Sequence, residues 1–342
     1  MIVKRPPSDW IILAALVGTF GGAFAGTKIA IETVPPYAAV GLRLPLAALI
    51  IYALMRVQGE RLPPLLEKGP SGRRAISKAW LYMAGLGVIG LSLPFVLVTL
   101  GVQRVDTGLA GILTAIMPLA TLVMAHFFSP GERMTAEGAA GFVLGFVGLC
   151  ILMGPSALGL IGGDTLGHQA LIVMGAFCYA ASAILIRRAP RLPFVTFCAG
   201  SLICATVIMT PISLIVNPLG TFSPSLASTL AIIALAAGPS GLASVLMFRL
   251  IQDAGAAFAS TTNYIVPVVA VGVGVAFLGE RAPASALLAL CVILGGVALS
   301  QVRVKAVIAA LSKNVSSKTP SEAKAEALAE EASTGSEAAP KV

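Results

Sequence analysis

The groups able to do chemistry in this chain are a few polar side chains set inside long apolar runs. Arg43 lies seven residues into the run Pro36–Met55, about 10 Å along a helix that rises 1.5 Å per residue. A charge in such a setting is costly and faces either a partner or a wet cavity. A guanidinium recognises carboxylate or phosphate groups through paired hydrogen bonds. Two readings follow: a contact for an anionic small molecule, or an ion pair with Glu32 or Asp106 that ties helix ends together. Lys28 stands four residues before Glu32, which puts both on one helix face. A snorkelling lysine paired with Glu32 is the simpler expectation; a second cationic contact for an anion is the alternative.

A second polar group is the run Ser260, Thr261, Thr262, Asn263 and Tyr264, shortly before Pro267. Its counterpart in the first half of the chain is Thr114 before Pro118. A lipid-facing amide at Asn263 would be left unpaired, so it either lines a cavity or joins two helices. Pro267 has no N–H and frees a carbonyl about one turn earlier, near Asn263. Phe20, Phe24, Phe95 and Tyr179 lie well inside their runs and suit the apolar walls of such a cavity.

What is missing narrows the chemistry further. His126 and His168 have no metal-ligand spacing, and no phosphate-binding glycine loop is present. No Asp or Glu sits at the middle of a run, which argues against metal or acid–base catalysis inside a membrane. The same absence weakens proton coupling through the midplane and keeps exchange or facilitated diffusion open. Five cysteines lie scattered in apolar stretches without a CxxC pair, as packing residues do. No cofactor, metal or nucleic acid is expected.

These side chains must be positioned by membrane helices. The chain is 57% hydrophobic and 11% charged over 342 residues, too few charges to coat a soluble surface. Ten apolar segments lie near Trp10–Ile31, Pro36–Met55, Lys78–Leu100, Thr107–Phe128, Ala136–Met153, Gln169–Ile186, Pro193–Val216, Leu226–Phe248, Ala254–Leu278 and Pro283–Ser300. Continuous runs of this length mean helices, not barrel strands. Arg56, Arg61, Lys68, Arg73, Arg74, Lys78, Arg133, Arg187, Arg188, Arg191 and Arg249 fall on one side if both termini are cytoplasmic, with Arg104 and Arg281 opposite. The net charge of +8 thus reports topology, not a polyanionic partner. Residues 1–9 form a cytoplasmic N-terminus, and 302–342 a cytoplasmic, largely disordered tail. Gly18, Gly22 and Gly26 on the first span, and Gly141 and Gly145 on the fifth, form small-residue ridges for close helix contact.

The two halves repeat each other. Gln103 to Pro118 and Gln252 to Pro267 have the same spacing, and each pair is followed by Gly-Glu-Arg, at Gly131–Arg133 and Gly279–Arg281. Gly18 and Pro36 align with Gly175 and Pro193 at one common offset. Five spans per half is an odd number, so the fold expected is all-α and polytopic, with ten transmembrane helices as two inverted five-helix repeats, 10–153 and 169–301. Glu132 and Glu280 precede the last span of each half and are expected to be structural, as carboxylates at helix N-termini are. Glu32, Pro118 and Pro267 join them as structural or gating positions.

The stretch Gly21-Gly-Ala-Phe-Ala-Gly-Thr-Lys28, then Pro36 and Arg43, then Gly131-Glu-Arg133 with Gly141 and Gly148, resembles the drug/metabolite transporter superfamily. Within it, the chain is most similar to the ten-helix EamA-type transporters, over about residues 10–301. The resemblance implies a carrier in the bacterial inner membrane for amino acids or related small metabolites, usually an exporter. Its partners would be a small metabolite and the lipid bilayer, with a homodimer left open. Lys28 and Arg43 keep a second substrate class in view, an anionic or nucleotide-linked metabolite moved by exchange.

Overall fold

The computed structural model describes residues 6–68, 74–128, 136–153, 164–254, 262–281 and 284–299. The tail 302–342 and the first Gly-Glu-Arg turn, with Glu132, lie outside them. Proline sets several helix starts, because its fixed φ suits the first turn and its missing N–H would be unpaired there anyway. So α1 (Pro7–Ala30) and α2 (Pro36–Val57) each open on proline, and α9 (Phe194–Val216) follows Pro193. Serine hydroxyls start two others: Ser77 accepts from the Ala79 N–H at α3 (Lys78–Leu86), and Ser225 accepts from the Ser228 N–H at α10 (Leu226–Ala237).

Three expected spans are interrupted. The third is α3, a π-helical turn Gly87–Ser92, and α4 (Leu93–Gly101). The fourth is α5 (Thr107–Thr114) and α6 (Met117–Phe128), broken just before Pro118, whose ring cannot continue a regular helix. The eighth is α10, a π-helical turn Gly238–Leu242, and α11 (Ala243–Ala254). The remaining helices are α7 (Ala136–Met153), α8 (Asp164–Arg188), α12 (Thr262–Leu278) and α13 (Ala284–Leu299). Among the described residues, seven segments are long and apolar enough to cross a membrane, and three shorter apolar helices lie within α7, α12 and α13. The all-helical membrane architecture is therefore present. One small addition is a hairpin of β1 (Leu66–Lys68) and β2 (Arg74–Ile76) between α2 and α3, with Glu67 opposite Ala75.

Between lipid tails and apolar side chains there is no hydrophobic difference, so close packing holds these helices together. The most extensive helix pairing among the described residues is α2 laid against α9, where a Cβ on Gly41 would run into the Ser213 side chain. On one flank α1 packs on α12, α10 and α11; on the other α8 packs on α4 and α6; α5 meets α12 between them. The small-residue ridge on α1 is not the one expected. Gly18 and Gly22 have nothing within 4 Å of a built Cβ, whereas at Gly21 that Cβ would come within 2.7 Å of Val269. Only Gly26 of the expected trio is in contact, with Leu235. The i, i+4 spacing identified a ridge but not the helix face that meets a neighbour. On α7 the expectation holds: Gly145 meets Leu119, and Gly141 and Gly145 meet Gly296 of α13.

Candidate functional site

The interrupted helices surround a cavity of about 440 Å³, a size that suits a small metabolite. Its walls include Phe20, Phe24 and Thr27 of α1, Arg43 of α2, Phe95 and Thr99 of α4, Tyr179 and Ser182 of α8, and Asn263 and Pro267 of α12. Both π-helical turns reach it, the first through Gly90 and Leu91, the second through Pro239 and Ser240. π-turns free backbone groups and recur at functional sites. The cavity extends to Ile186, next to Arg187 near the end of α8.

Arg43 is the one charged side chain among the described residues of the lining. It is 7% exposed. Its Nε donates to Ser240 Oγ at 2.7 Å, and its Cζ sits 4.2 Å from the centroid of the Phe95 ring. No carboxylate pairs with it among the described residues. The ion pair with Glu32 or Asp106 is thus not formed: Glu32 is exposed, and Asp106 is engaged by Lys28. Seven residues of helix carry the guanidinium past the helix ends to the level of the second π-turn.

Lys28 does not pair with Glu32 either. Its Nζ lies 2.9 Å from Glu280 Oε1 and 3.1 Å from Asp106 Oδ1. The spacing argument considered partners on the same helix only, and tertiary carboxylates won. Glu280, its side chain 7% exposed, also accepts from the Thr107 N–H and Oγ1, each at 2.8 Å, and from the Gly108 N–H at 3.1 Å. Its structural role is therefore to cap α5, across the bundle, where the expected place was the helix that follows it. Gly279, at φ +64°, ends α12 in the left-handed conformation that glycine adopts freely and turns Glu280 back towards α5. Burial pushes the Glu280 carboxyl up, but the Thr107 amide, Lys28, the Thr107 hydroxyl and the Gly108 amide together hold it below its ordinary range. Lys28, Asp106 and Glu280 thus join α1, the start of α5 and the end of α12 just beyond Thr27, at one end of the cavity. Gly101 of α4 packs against the His168 carbonyl at this same end, so α8 runs away from it towards Ile186.

Of the residues expected from sequence, Phe20, Phe24, Arg43, Phe95, Thr114, Pro118, Tyr179, Asn263 and Pro267 meet around the cavity. Lys28 and Glu280 lie beyond its end, and Glu32 outside it. Thr261 and the side chain of Tyr264 fall outside the described residues. Sequence reasoning missed Thr27, Ser182, Ser240 and Ser244, all part of the lining; Thr262, in the polar run before Pro267, also lies there. The run Gly238-Pro-Ser-Gly241, polar and helix-breaking inside an apolar span, was the available signal for Ser240.

The family model described as the EamA-like transporter family matches the chain twice, over residues 9–154 and 168–301. The chain belongs to the EamA-like transporter family. It is accordingly a membrane transporter of the drug/metabolite superfamily and not an enzyme. It is 29% identical over 290 residues to the uncharacterized inner membrane transporter YedA of Escherichia coli (strain K12), an alignment covering 84% of this chain and 88% of that one. It is 27% identical over 301 residues to the S-adenosylmethionine/S-adenosylhomocysteine transporter of Chlamydia trachomatis serovar L2, again covering 84% of this chain and 88% of the relative. A solved crystal structure shares the fold, with a TM-score of 0.59 at 19% identity over 89% of this chain and 99% of that one. Among its described residues the EamA-like transporter thus presents one cationic group to an aromatic cavity, with the Lys28–Asp106–Glu280 cluster at one end.

Proposed function

We propose that the protein is a secondary transporter of the bacterial inner membrane that exports a small carboxylate-bearing metabolite, an amino acid or a close relative. The observation that carries this reading is Arg43. Its Nε is occupied by Ser240, no described residue accepts from its two Nη groups, and no acid lies in the described lining. A carboxylate supplies the missing acceptors in paired geometry, and Phe20, Phe24 and Tyr179 supply apolar walls for the rest of the molecule.

Transport runs by alternating access between two inverted five-helix halves spanning the membrane ten times, with both termini cytoplasmic. Several features support this. The family model matches each half separately. Helix pairings come in matched sets: α1 with α12 and α8 with the α5–α6 span, around the self-matched pair α2 and α9. The π-turns Gly87–Ser92 and Gly238–Leu242 fall at corresponding places in the third and eighth spans. The Lys28–Asp106–Glu280 cluster closes one end of the cavity, and movement of the halves opens it. With no carboxylate in the described lining, exchange or facilitated diffusion fits better than proton coupling through the cavity.

The aromatic lining and the name of the chlamydial relative favour a second substrate reading, a nucleoside-linked amino acid. The test compares metabolites inside and outside cells with and without the protein. Flux of the leading compound and of S-adenosylmethionine into proteoliposomes follows. Arg43→Gln should abolish carboxylate flux; carboxylate flux at the unaltered rate in Arg43→Gln would sink the reading.

A further inference from the structure

The geometry points to Ser240 as a positioning residue that decides which edge of the Arg43 guanidinium a substrate meets, and so sets the preference for carboxylates. The inference rests on the reading of Arg43 given above. A guanidinium can hold a carboxylate side-on, through Nε and one Nη, or end-on, through both Nη groups. Ser240 Oγ takes the Nε hydrogen at 2.7 Å, so the side-on edge is closed. The ring of Phe95 lies 4.2 Å from Cζ and fixes the plane of the group. What remains for a substrate is the end-on pair of Nη groups.

The second π-turn is what brings Ser240 there. The turn inserts a residue relative to an α-helix, and each residue rotates the side-chain direction by about 100°. Without that insertion the hydroxyl of Ser240 would point elsewhere. The residue is 4% exposed, so its bond to Arg43 is not shared with bulk solvent. A buried, desolvated bond to a charged group fixes orientation more firmly than an exposed one. In the repeat alignment Arg43 corresponds to Gly200 and Ser240 to Leu91, so the device is built on one side of the cavity only.

The test uses the purified full chain in detergent micelles and equilibrium binding of the twenty amino acids, each beside its α-amide. The unaltered protein should retain at least one amino acid and prefer it to its amide at least tenfold. Ser240→Ala should weaken that acid about tenfold and leave the amide within twofold, with the number of binding sites unchanged. Ser240→Thr, which keeps the hydroxyl, should restore the preference, and Ser240→Cys, a weak acceptor of similar size, should not. Equal weakening of acid and amide by Ser240→Ala, or no weakening of either, overturns the inference, as does a threonine variant that behaves like alanine. If the unaltered protein shows no acid-over-amide preference, the carboxylate reading of Arg43 itself has failed. If that preference is present and Ser240→Ala leaves it intact, only the role of Ser240 has failed.

Discussion

Replacing Glu280 by glutamine tests whether the carboxylate cluster closes the cavity. Oε1 accepts from Lys28 Nζ and the Thr107 N–H, and Oε2 from Thr107 Oγ1 and the Gly108 N–H. Glutamine has one acceptor oxygen. Its amide nitrogen does least harm at the Oε2 place, where the Thr107 hydroxyl can turn to accept. The Gly108 N–H is then orphaned, and the remaining bonds lose their ionic partner. An unsatisfied buried group costs about 1–3 kcal/mol, and bonds to a charged group are roughly twice as strong as neutral ones. Together the closed end loses about 2–4 kcal/mol, a shift of about 30-fold to several hundred-fold in the balance between closed and open. The assay places a cysteine at Thr27, in the cavity next to Lys28, in a background freed of the five native cysteines. A membrane-impermeant thiol reagent is then applied from the Lys28 side of a proteoliposome. Glu280→Gln should raise the labelling rate at least tenfold, and Lys28→Gln should raise it too. The pH dependence has a definite sign. A carboxyl held below its ordinary range contributes above that range, and the contribution is lost only as pH falls through the lowered folded value. The ratio of labelling rates between Glu280→Gln and the unaltered cluster should therefore stay flat from about pH 5.5 to 8, above the ordinary glutamate pKa, because the thiolate fraction of the reporter cysteine cancels between the two. An unchanged labelling rate in Glu280→Gln, beside a lowered melting temperature, would refute closure and leave a simple helix cap.

Three further outcomes follow from the packing and the lining. Gly41→Val should separate α2 from α9, because its Cβ would meet the Ser213 side chain; overpacking of this kind costs about 1–3 kcal/mol and should lower the melting temperature in detergent. Thr262 Oγ1 is buried without a partner among the described residues, so Thr262→Val should raise the melting temperature or leave it unchanged, and a marked fall would show that the hydroxyl is bonded. Phe95→Leu removes the ring against the Arg43 guanidinium, a contact of about 1–2 kcal/mol at a desolvated site, and should weaken retention of the preferred amino acid by about fivefold to thirtyfold in the binding assay above.

The helical membrane class and about a third of the cavity residues were legible in sequence, because both follow from burial in an apolar medium. Apolar runs must be helical there. A charge or an amide well inside a run must find an interior to face, and an aromatic ring there suits an apolar wall; Arg43, Asn263 and Tyr179 all stand in the cavity wall. Partners were not legible. Lys28 and Glu280 are 252 residues apart, and no periodicity joins them. Glu280 could be recognised as structural from its Gly-Glu-Arg turn, but not as the cap of α5. The π-turns were hidden because apolar content says nothing of how many residues complete a turn. Glycine spacing on α1 identified a ridge, yet the face in contact holds Gly21, since ridge and neighbour are set by the crossing of two helices and not by one.

The repeat alignment sharpens what the charges do. Lys28 corresponds to Leu185, Arg43 to Gly200 and Ser240 to Leu91. Leu185 packs against Gly85, and Gly200 packs against Met83, so these counterparts are occupied by close apolar contacts. A duplicated scaffold supplies two similar sets of helix contacts, which favours two conformations of comparable energy. Charge placed on one set only makes the two ends different. Under the proposed inverted repeat, Glu132 is the sequence counterpart of Glu280, and the position matching Lys28 holds Leu185. The Lys28 end carries the ion pairs with Asp106 and Glu280, and the matching position in the second half carries an apolar contact, Leu185 on Gly85. Under the proposed function the ionic end is the one shut at rest; the cavity reaches towards Ile186, next to Arg187 near the end of α8. Introducing Leu185→Lys would add a cation to the second set and should shift the resting state towards closure at the Arg188 end. The Thr27 cysteine would then label faster from the Lys28 side. Slower or unchanged labelling would show that the asymmetry of charge does not set the direction in which the cavity rests.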